Sequence, residues 1–136
     1  MIVVDTCVLT HLFNETEHTK LAQKILEIDS SWIVPIIWQE EYANVLSKLA
    51  RREKRGYQEV IGHFEDVLNQ LSSCEKYVDN REALKTSLQK KISVYDAHFV
   101  TLAQSFDVLL VTEDQEVIKR CSKMAVSMKE FISLLN

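Results

Sequence analysis

Glycine and proline are scarce in this chain of 136 residues, which contains two glycines and one proline. Disordered and collagen-like proteins are rich in these residues, so the composition excludes both classes and favours a globular, helix-rich protein. An excess of basic charge is also lacking, because 16 basic residues against 20 acidic ones leave a net charge of −4. The protein as a whole therefore offers no basic field to attract nucleic acid.

Cysteine pairs and long apolar runs are missing as well. Cys7, Cys74 and Cys121 are odd in number and form no Cys-x-x-Cys pair, which argues against a zinc knuckle and indicates a reducing compartment. No apolar run approaches the roughly 20 residues that span a bilayer, and the N-terminus does not resemble a signal peptide. We expect a cytoplasmic protein without membrane association, folded as a single domain over residues 1–136.

Short apolar runs predict the strands of a sheet: Ile2–Val4, Trp32–Val34, Tyr77–Val78, Val108–Val111 and, as a short edge strand, Ala125–Val126. These runs are continuous rather than alternating, which is typical of parallel strands covered on both faces. Apolar stripes at helical spacing accompany them: Leu21–Ile28, Tyr42–Leu49, Tyr57–Leu71, Tyr95–Phe106 and Phe131–Leu135. The alternation predicts a three-layer α/β/α sandwich around a mainly parallel sheet of four to five strands.

Four acidic residues stand where these apolar segments end or where helices should begin: Asp5, Glu41, Asp96 and Asp114. The carboxyl ends of parallel strands share one edge of a sheet, and ligands bind at that edge in open α/β folds. Carboxylates gathered in one cleft repel each other unless a cation lies among them. Hard divalent cations prefer oxygen ligands, so the pattern predicts a divalent-metal site.

Each acid also has a purely structural interpretation. Asp5 is suited to cap a helix, Ser93 and Asp96 have the spacing of a capping box, and Thr112 or Asp114 can cap the next helix. Taken singly, each acid is more often structural than functional. Capping does not, however, require four segments to direct their acids to one edge, so the group favours the metal site.

Glu41 and its neighbour Glu40 compete for the position in the cleft. Glu41 precedes Tyr42, the first residue of its apolar stripe, and therefore lies about 100° around the helix from it, at the border of the buried face. Glu40 lies a further 100° or so away, on the side that favours solvent. The angle selects Glu41.

Four segments in order carry a family resemblance: Val3–Thr6, Pro35–Leu46, Val94–Ala97 followed by Leu102-Ala103, and Leu110–Asp114. At these residues the chain resembles the PIN-domain nucleases, in particular the VapC-type toxins of type II toxin–antitoxin pairs. No single segment is specific, but their order and spacing span nearly the whole chain.

The resemblance implies an endoribonuclease that depends on Mg²⁺ or Mn²⁺ and leaves a 5′-phosphate and a 3′-hydroxyl. In that pattern Asp5, Asp96 and Asp114 hold the metal, and Glu41 completes the catalytic quartet. Thr6 and Thr112 match the hydroxyl positions that support the acids. The implied partners are an RNA substrate and a small antitoxin, and such toxins are commonly homodimers.

Three departures from the family pattern are visible. Cys7 stands where a small polar residue is common, Glu113 adds a charge beside the site, and residues 105–107 lack the glycine often found before the fourth strand. None of them removes a member of the acidic quartet, so we expect activity to survive.

The basic residues are densest at Arg51, Arg52, Lys54 and Arg55. Cations suit the C-terminal end of a helix dipole, which makes a solvated helix end the favoured interpretation; a phosphate track for RNA is the alternative. The aromatic residues mostly fall on core stripes, so the sequence predicts no base-stacking platform. His98 follows Asp96 closely, and we expect it on a helix surface.

Two other functions remain open from the sequence. A receiver-like signalling domain also binds magnesium in an acidic cleft, but it needs paired acids after the first strand and a late lysine, where this chain has one Asp and Thr112-Glu113-Asp114. A catalytically silent PIN-like module that only binds its partner is the second alternative. The sequence does not identify the RNA, the antitoxin, the number of metal ions, the oligomeric state, or the roles of Glu40 and Glu113.

Overall fold

The computed structural model describes residues 1–135, in which five strands alternate with eight helices. The strands are β1 (Ile2–Val4), β2 (Trp32–Pro35), β3 (Glu75–Lys76), β4 (Leu110–Val111) and β5 (Ala125–Val126). The helices are α1 (Thr6–Phe13), α2 (Thr19–Ile28), α3 (Trp38–Glu53), α4 (Tyr57–Leu71), α5 (Asn80–Lys90), α6 (Val94–Phe106), α7 (Gln115–Arg120) and α8 (Met128–Leu134). Each helix within residues 1–135 is too short or too polar to cross a lipid bilayer.

The five strands form one parallel sheet in the order β3-β2-β1-β4-β5. β1 is central, and Val3 pairs with Ile33 on one side and Leu110 on the other. All three residues of β1 are buried, as a strand covered on both faces requires. Helix α6 packs on β1, β2 and β4 and against α5, while α1, α2 and α8 pack on one another. The predicted α/β/α sandwich with a parallel sheet is confirmed.

The third strand lies two residues before the predicted position. The prediction of Tyr77–Val78 is wrong, because Glu75 and Lys76 pair with β2 while Tyr77 is 78% exposed. Val78 is buried, but it enters the core from the loop that leads to α5. An edge strand of two residues is held by backbone hydrogen bonds to its neighbour, so its side chains need not be apolar.

Helix α5 has no counterpart among the predicted apolar stripes. Its buried residues are Ala83 and Thr86, whereas Leu84 and Leu88 are exposed. Thr86 accepts a hydrogen bond from Thr101 of α6 at 2.8 Å, so small and polar side chains form this helix contact. A search for large apolar residues at helical spacing does not detect such an interface.

Helix α6 is buried more evenly than its predicted stripe suggests. Ala97, Phe99 and Val100 are all buried within about one turn of the helix, and His98 between them is 8% exposed. The expectation that His98 lies on a helix surface is therefore wrong, because α6 is covered by both the sheet and α5. Tyr95, which was assigned to the core stripe, is 60% exposed.

Three helices end in a left-handed residue that is not glycine. Lys54, Lys91 and Asp107 occupy the C-cap positions of α3, α5 and α6 with φ of 55°, 59° and 52°. Glycine is the residue that usually adopts this left-handed conformation without steric cost. Asp107 adopts this conformation shortly before β4 although it is not a glycine.

Candidate active site

The acidic residues meet at the point where the strand order changes direction. β1 and β4 are adjacent but separated in sequence, Asp5 follows β1, and Asp114 follows β4. Glu41 comes from the first turn of α3 and Asp96 from the first turn of α6. All four acids line one cavity of about 530 Å³, which we call the acidic cavity.

Asp5 is fixed by two donors. Its Oδ1 accepts a hydrogen bond from the Thr6 backbone N–H at 2.7 Å, and its Oδ2 accepts one from the Thr112 hydroxyl at 2.6 Å. Burial raises the pKa of Asp5 to about 6, against the lowering effect of these hydrogen bonds, and the charges of Asp96 and Asp114 add to the rise. The carboxylate is held in position but lacks a compensating positive charge.

Glu41 is linked to Asp5 through Thr6. The Thr6 hydroxyl donates to Oε1 of Glu41 at 2.7 Å, while the Thr6 backbone N–H binds Asp5. Burial raises the pKa of Glu41 to about 7, and repulsion from Asp5 and Asp96 adds to it despite the Thr6 hydrogen bond. Glu40 is exposed and lines neighbouring cavities instead of the acidic one.

Helix capping and clustering of the acids occur together. Asp114 caps α7, since its Oδ1 accepts from the backbone N–H groups of Glu116 and Val117 at 2.9 and 3.1 Å. Asp5 caps α1 by accepting from the Thr6 N–H, and Ser93 caps α6 by accepting from the Asp96 N–H at 3.0 Å. Burial raises the pKa of Asp96, and the charge of Asp114 adds to the rise. The two interpretations of these acids are therefore compatible.

The donor set fits a hard divalent cation. Four carboxylates and the supporting hydroxyls of Thr6 and Thr112 are all oxygen donors, which Mg²⁺ and Mn²⁺ prefer. Burial, with a smaller contribution from repulsion between the acids, raises the pKa values of Asp5 and Glu41, and a bound cation would stabilise their charged forms. Within residues 1–135, no three Asp, Glu, His or Cys side chains form a ready-made metal-binding cluster.

Several residues of α1 and α3 that were not predicted as site residues also line the acidic cavity. Cys7, Thr10 and His11 lie on one face of α1, and Asn44 comes from α3. The i, i+3, i+4 spacing of the α1 residues after Asp5 is a signal from which they could have been found. His11 Nδ1 lies 2.8 Å from the Thr16 hydroxyl, and burial lowers the pKa of His11, with His18 adding to the effect.

Cys7 and Glu113, which differ from the family pattern, make hydrogen bonds that fix the loop between β4 and α7. The Glu113 backbone N–H donates to Cys7 Sγ at 3.3 Å, and Cys7 Sγ lies 3.9 Å from the Thr112 hydroxyl. Glu113 Oε1 accepts from the Met128 N–H at 2.8 Å, at the first residue of α8. The added charge of Glu113 is thus used to anchor α8 to the loop that carries Thr112 and Asp114.

The basic cluster lies at the opposite end of α3 from Glu41. Arg51 is ten positions after Glu41, which corresponds to ~15 Å along a helix. A second cavity of about 670 Å³, the α3–α4 groove, is lined by Ala43, Leu46, Ser47, Ala50, Arg51, Lys54, Arg55, Tyr57, Val60, Ile61 and Phe64. Arg55 Nε binds Glu59 at 3.2 Å, and Arg51 Nη1 donates to Ser47 at 2.7 Å. None of the four basic residues lines the acidic cavity.

Three solved structures share this fold over almost the whole chain. PAE2754 from Pyrobaculum aerophilum matches with a TM-score of 0.71 and 23% identity, covering 98% of this chain and 95% of that one. FitAB bound to an IR36 DNA fragment matches with a TM-score of 0.63 and 13% identity, covering 94% and 95%. A toxin–antitoxin complex from Klebsiella pneumoniae matches with a TM-score of 0.59 and 16% identity, covering 94% and 98%.

Comparison with curated protein sequences gives no match. A family model, by contrast, matches residues 2–123, a range that includes Asp5, Glu41, Asp96 and Asp114. The structural likenesses, all below 25% identity, agree with that match at the level of the fold. Because the family model covers most of the sequence, this chain belongs to the PIN domain family.

Proposed function

We propose that this protein is a divalent-metal-dependent endoribonuclease and the toxin of a VapBC-type toxin–antitoxin pair. The observation that carries the proposal is the meeting of Asp5, Glu41, Asp96 and Asp114, from four separate segments, in one cavity. Membership in the PIN family supports it, because PIN domains are generally nucleases. The family match also favours this function over the receiver-like alternative.

Asp5, Asp96 and Asp114 would hold the Mg²⁺ or Mn²⁺ ion. When bound, such an ion offsets charge on a phosphoryl group and makes water more acidic. Thr6 and Thr112 keep Asp5 in a fixed orientation by donating to it from the backbone and from the hydroxyl. This orientation lets Asp5 face the cavity without rearrangement during the reaction.

Glu41 is the candidate for the proton acceptor. Burial in the metal-free site raises its pKa to about 7, so this carboxylate binds a proton more readily than an exposed glutamate does. Thr6 binds only one of its carboxylate oxygens, Oε1, which leaves Oε2 for a water molecule. Glu41 would accept a proton from the attacking water, whose oxygen would bond to phosphorus as the P–O3′ bond breaks; the 3′-oxygen would take up a proton from solvent and leave as a 3′-hydroxyl.

The direct test is cleavage of RNA by Asp5→Asn and Asp96→Asn with Mg²⁺ or Mn²⁺ in excess. Both variants keep the shape of the side chain and remove its charge, so we expect activity to fall to background while circular dichroism stays unchanged. Glu65→Gln, on the exposed face of α4, is the matched control and should cleave like the unaltered protein. Full activity in Asp5→Asn would reject the proposal. RNA binding without turnover in the unaltered protein would instead favour the silent binding module.

A small antitoxin is the proposed protein partner, supported by the likeness to a toxin–antitoxin complex. The α3–α4 groove is the candidate surface, because Tyr57 and Ile61 are 75% and 52% exposed there. Ile61→Lys should weaken co-purification with the antitoxin and leave cleavage intact; Leu88→Lys, on exposed α5, is the control. A homodimer, also proposed, would appear as twice the chain mass in sedimentation.

A further inference from the structure

Two exposed tyrosines line a cavity beside the acidic one. Tyr77 follows β3 and Tyr95 lies in the first turn of α6; they are 78% and 60% exposed, yet both face a concavity of about 350 Å³. Ile36, also exposed, belongs to the same lining. Exposed apolar side chains gathered in a concave surface are typical of a ligand site. We call this surface the tyrosine cavity.

The tyrosine cavity is connected to the acidic cavity. A smaller cavity of about 250 Å³ lies between them, lined by Glu40, Glu41, Asn44 and Tyr95. Glu41 and Asn44 also line the acidic cavity, while Glu40 and Tyr95 also line the tyrosine cavity. Tyr95 is moreover the residue directly before Asp96. A continuous surface therefore runs from the catalytic acids to the tyrosine rings.

The chemistry of the tyrosine cavity suits a planar, neutral group. Among residues 1–135, those that line it include Glu40 but no lysine or arginine, so a phosphodiester would be repelled there. Its polar side-chain groups are the Glu40 carboxylate, the Asn80 amide, the His98 ring and the two tyrosine hydroxyls. Aromatic side chains bind single-stranded nucleic acid by stacking on bases, since every base has a π-face.

We propose that the tyrosine cavity binds one nucleobase of a single-stranded RNA whose phosphate lies in the acidic cavity, with Tyr95 as the stacking platform. This inference rests on the proposed function and names a binding site for the same substrate. Glu40 supplies a carboxylate that only accepts hydrogen bonds, so bases with an exocyclic amino group, which has two N–H bonds, are preferred to uracil, whose one base donor is the N3–H.

The test measures equilibrium binding of three short RNA probes: oligoadenylate, oligouridylate and an abasic chain of the same length. All proteins carry Glu41→Gln, which removes the proton acceptor and keeps the three metal ligands, and Mg²⁺ is present; no probe is then cut. Tyr95→Ala should weaken oligoadenylate binding by roughly 5- to 150-fold, the range for one base stacked on an aromatic ring. Tyr95→Phe keeps the ring and should bind within about two-fold of the parent protein. Leu88→Ala, an exposed residue of α5, is the control and should change nothing.

The abasic probe separates stacking from a structural effect. If Tyr95 stacks on a base, Tyr95→Ala and its parent bind the abasic chain equally, and Glu40→Ala reduces the preference for adenylate over uridylate. Equal weakening on all three probes, or unchanged binding of oligoadenylate, overturns the inference. A change in self-association of Tyr95→Ala with unchanged RNA binding overturns it too, because a second copy of the chain would then cover the cavity.

Binding and cleavage fail independently in this design. If the unaltered protein cleaves RNA, Asp5→Asn abolishes cleavage and Tyr95→Ala binds every probe normally, only the inference about Tyr95 is wrong. If Tyr95→Ala loses base-dependent binding but the unaltered protein never cleaves RNA, the base site stands and the proposed nuclease function is wrong.

Discussion

The acidic cavity and the α3–α4 groove are built in opposite ways. The acidic cavity collects polar side chains from four segments that are distant in sequence, and hydrogen bonds between Thr6, Thr112 and the acids fix them. The groove is formed by two consecutive helices, and apolar side chains with a basic rim line it. The first surface is suited to a cation and the second to an apolar partner.

The two surfaces teach different lessons about sequence patterns. The stripe from Tyr57 to Leu71 is the clearest helical pattern in the chain, and the helix is present. Only its C-terminal half is buried, through Val67 and Leu71, whereas Tyr57 and Ile61 face solvent. A helical stripe shows which side of a helix is apolar but not what covers that side.

Thr112→Val should have the largest effect, because it removes hydrogen bonds that fix the acidic cavity and leaves the α3–α4 groove unaltered. Thr112 is fully buried, donates to Asp5 Oδ2 at 2.6 Å and accepts from the Asp114 N–H at 3.1 Å. Valine keeps the shape but removes both hydrogen bonds, so Asp5 loses its orientation and its pKa rises further. We expect the Mn²⁺ concentration for half-maximal cleavage to rise by roughly 10- to 100-fold, as for other residues that support metal ligands.

Thr101→Val is the matched control for that variant. Thr101 donates to Thr86 between α6 and α5 and does not line the acidic cavity, so the loss of this hydrogen bond should cost about 1 kcal/mol of stability. The metal dependence of cleavage should stay unchanged in Thr101→Val. An equal shift in both variants would mean that Thr112 acts only through the stability of the fold.

The next effect concerns the pH dependence of stability without metal. Folding raises the pKa of Asp5 from 3.8 to about 6 and that of Glu41 from 4.5 to about 7. The folded state therefore binds protons more tightly, and this stabilisation is complete below about pH 4 and lost as the pH rises to 7. Asp5 alone accounts for roughly 3 kcal/mol.

This pH effect is measured as a difference between two proteins. The lowered pKa values of His11, His63 and His98 act in the opposite direction, so urea unfolding of the parent chain is compared with that of Asp5→Asn. We expect the variant to be more stable at pH 8 in EDTA and to lose that advantage near pH 4. Parallel curves for the two proteins would show that Asp5 is not strained by its surroundings.

The smallest effect tests the basic rim of the α3–α4 groove. Lys54 and Lys91 both cap helices with positive φ, so glycine at either position should stabilise the fold by about 0.5–1 kcal/mol. Only Lys54 belongs to the basic cluster. If that cluster is a solvated helix end, Lys54→Gly and Lys91→Gly bind RNA equally. If it is a phosphate track, Lys54→Gly alone binds more weakly and with a smaller dependence on salt.

Much of the fold could be predicted because buried strands and helices contain runs or stripes of apolar residues. The central strands β1 and β2 are continuous apolar runs, and the predicted β4 run contains the observed strand. β3 and α5 lack such runs. β3 is held by backbone pairing at a sheet edge, and α5 buries Ala83 and Thr86 instead of its leucines. Where small or polar residues make the contact, hydrophobic periodicity has nothing to detect.

For the candidate site, the positions of the acids could be predicted from the sequence, but the contacts around them could not. Asp5 and Asp114 could be placed because the ends of parallel strands share an edge, and the helical angle selected Glu41 over Glu40. The contact of Cys7 with the backbone of Glu113 and that of the Glu113 side chain with Met128 could not be predicted, because they join segments that are distant in sequence. Tyr95 was assigned to the core because sequence periodicity does not reveal which turn of α6 projects beyond its neighbours.

The central claim is that these four acids form a metal-binding site, and crystallography with Mn²⁺ tests it most directly. We predict an anomalous difference peak in the acidic cavity, within coordination distance of carboxylates of Asp5, Asp96 or Asp114, that disappears in Asp5→Asn. A Mn²⁺-soaked crystal with no peak in the acidic cavity, or with these carboxylates in separate pockets, would contradict the account.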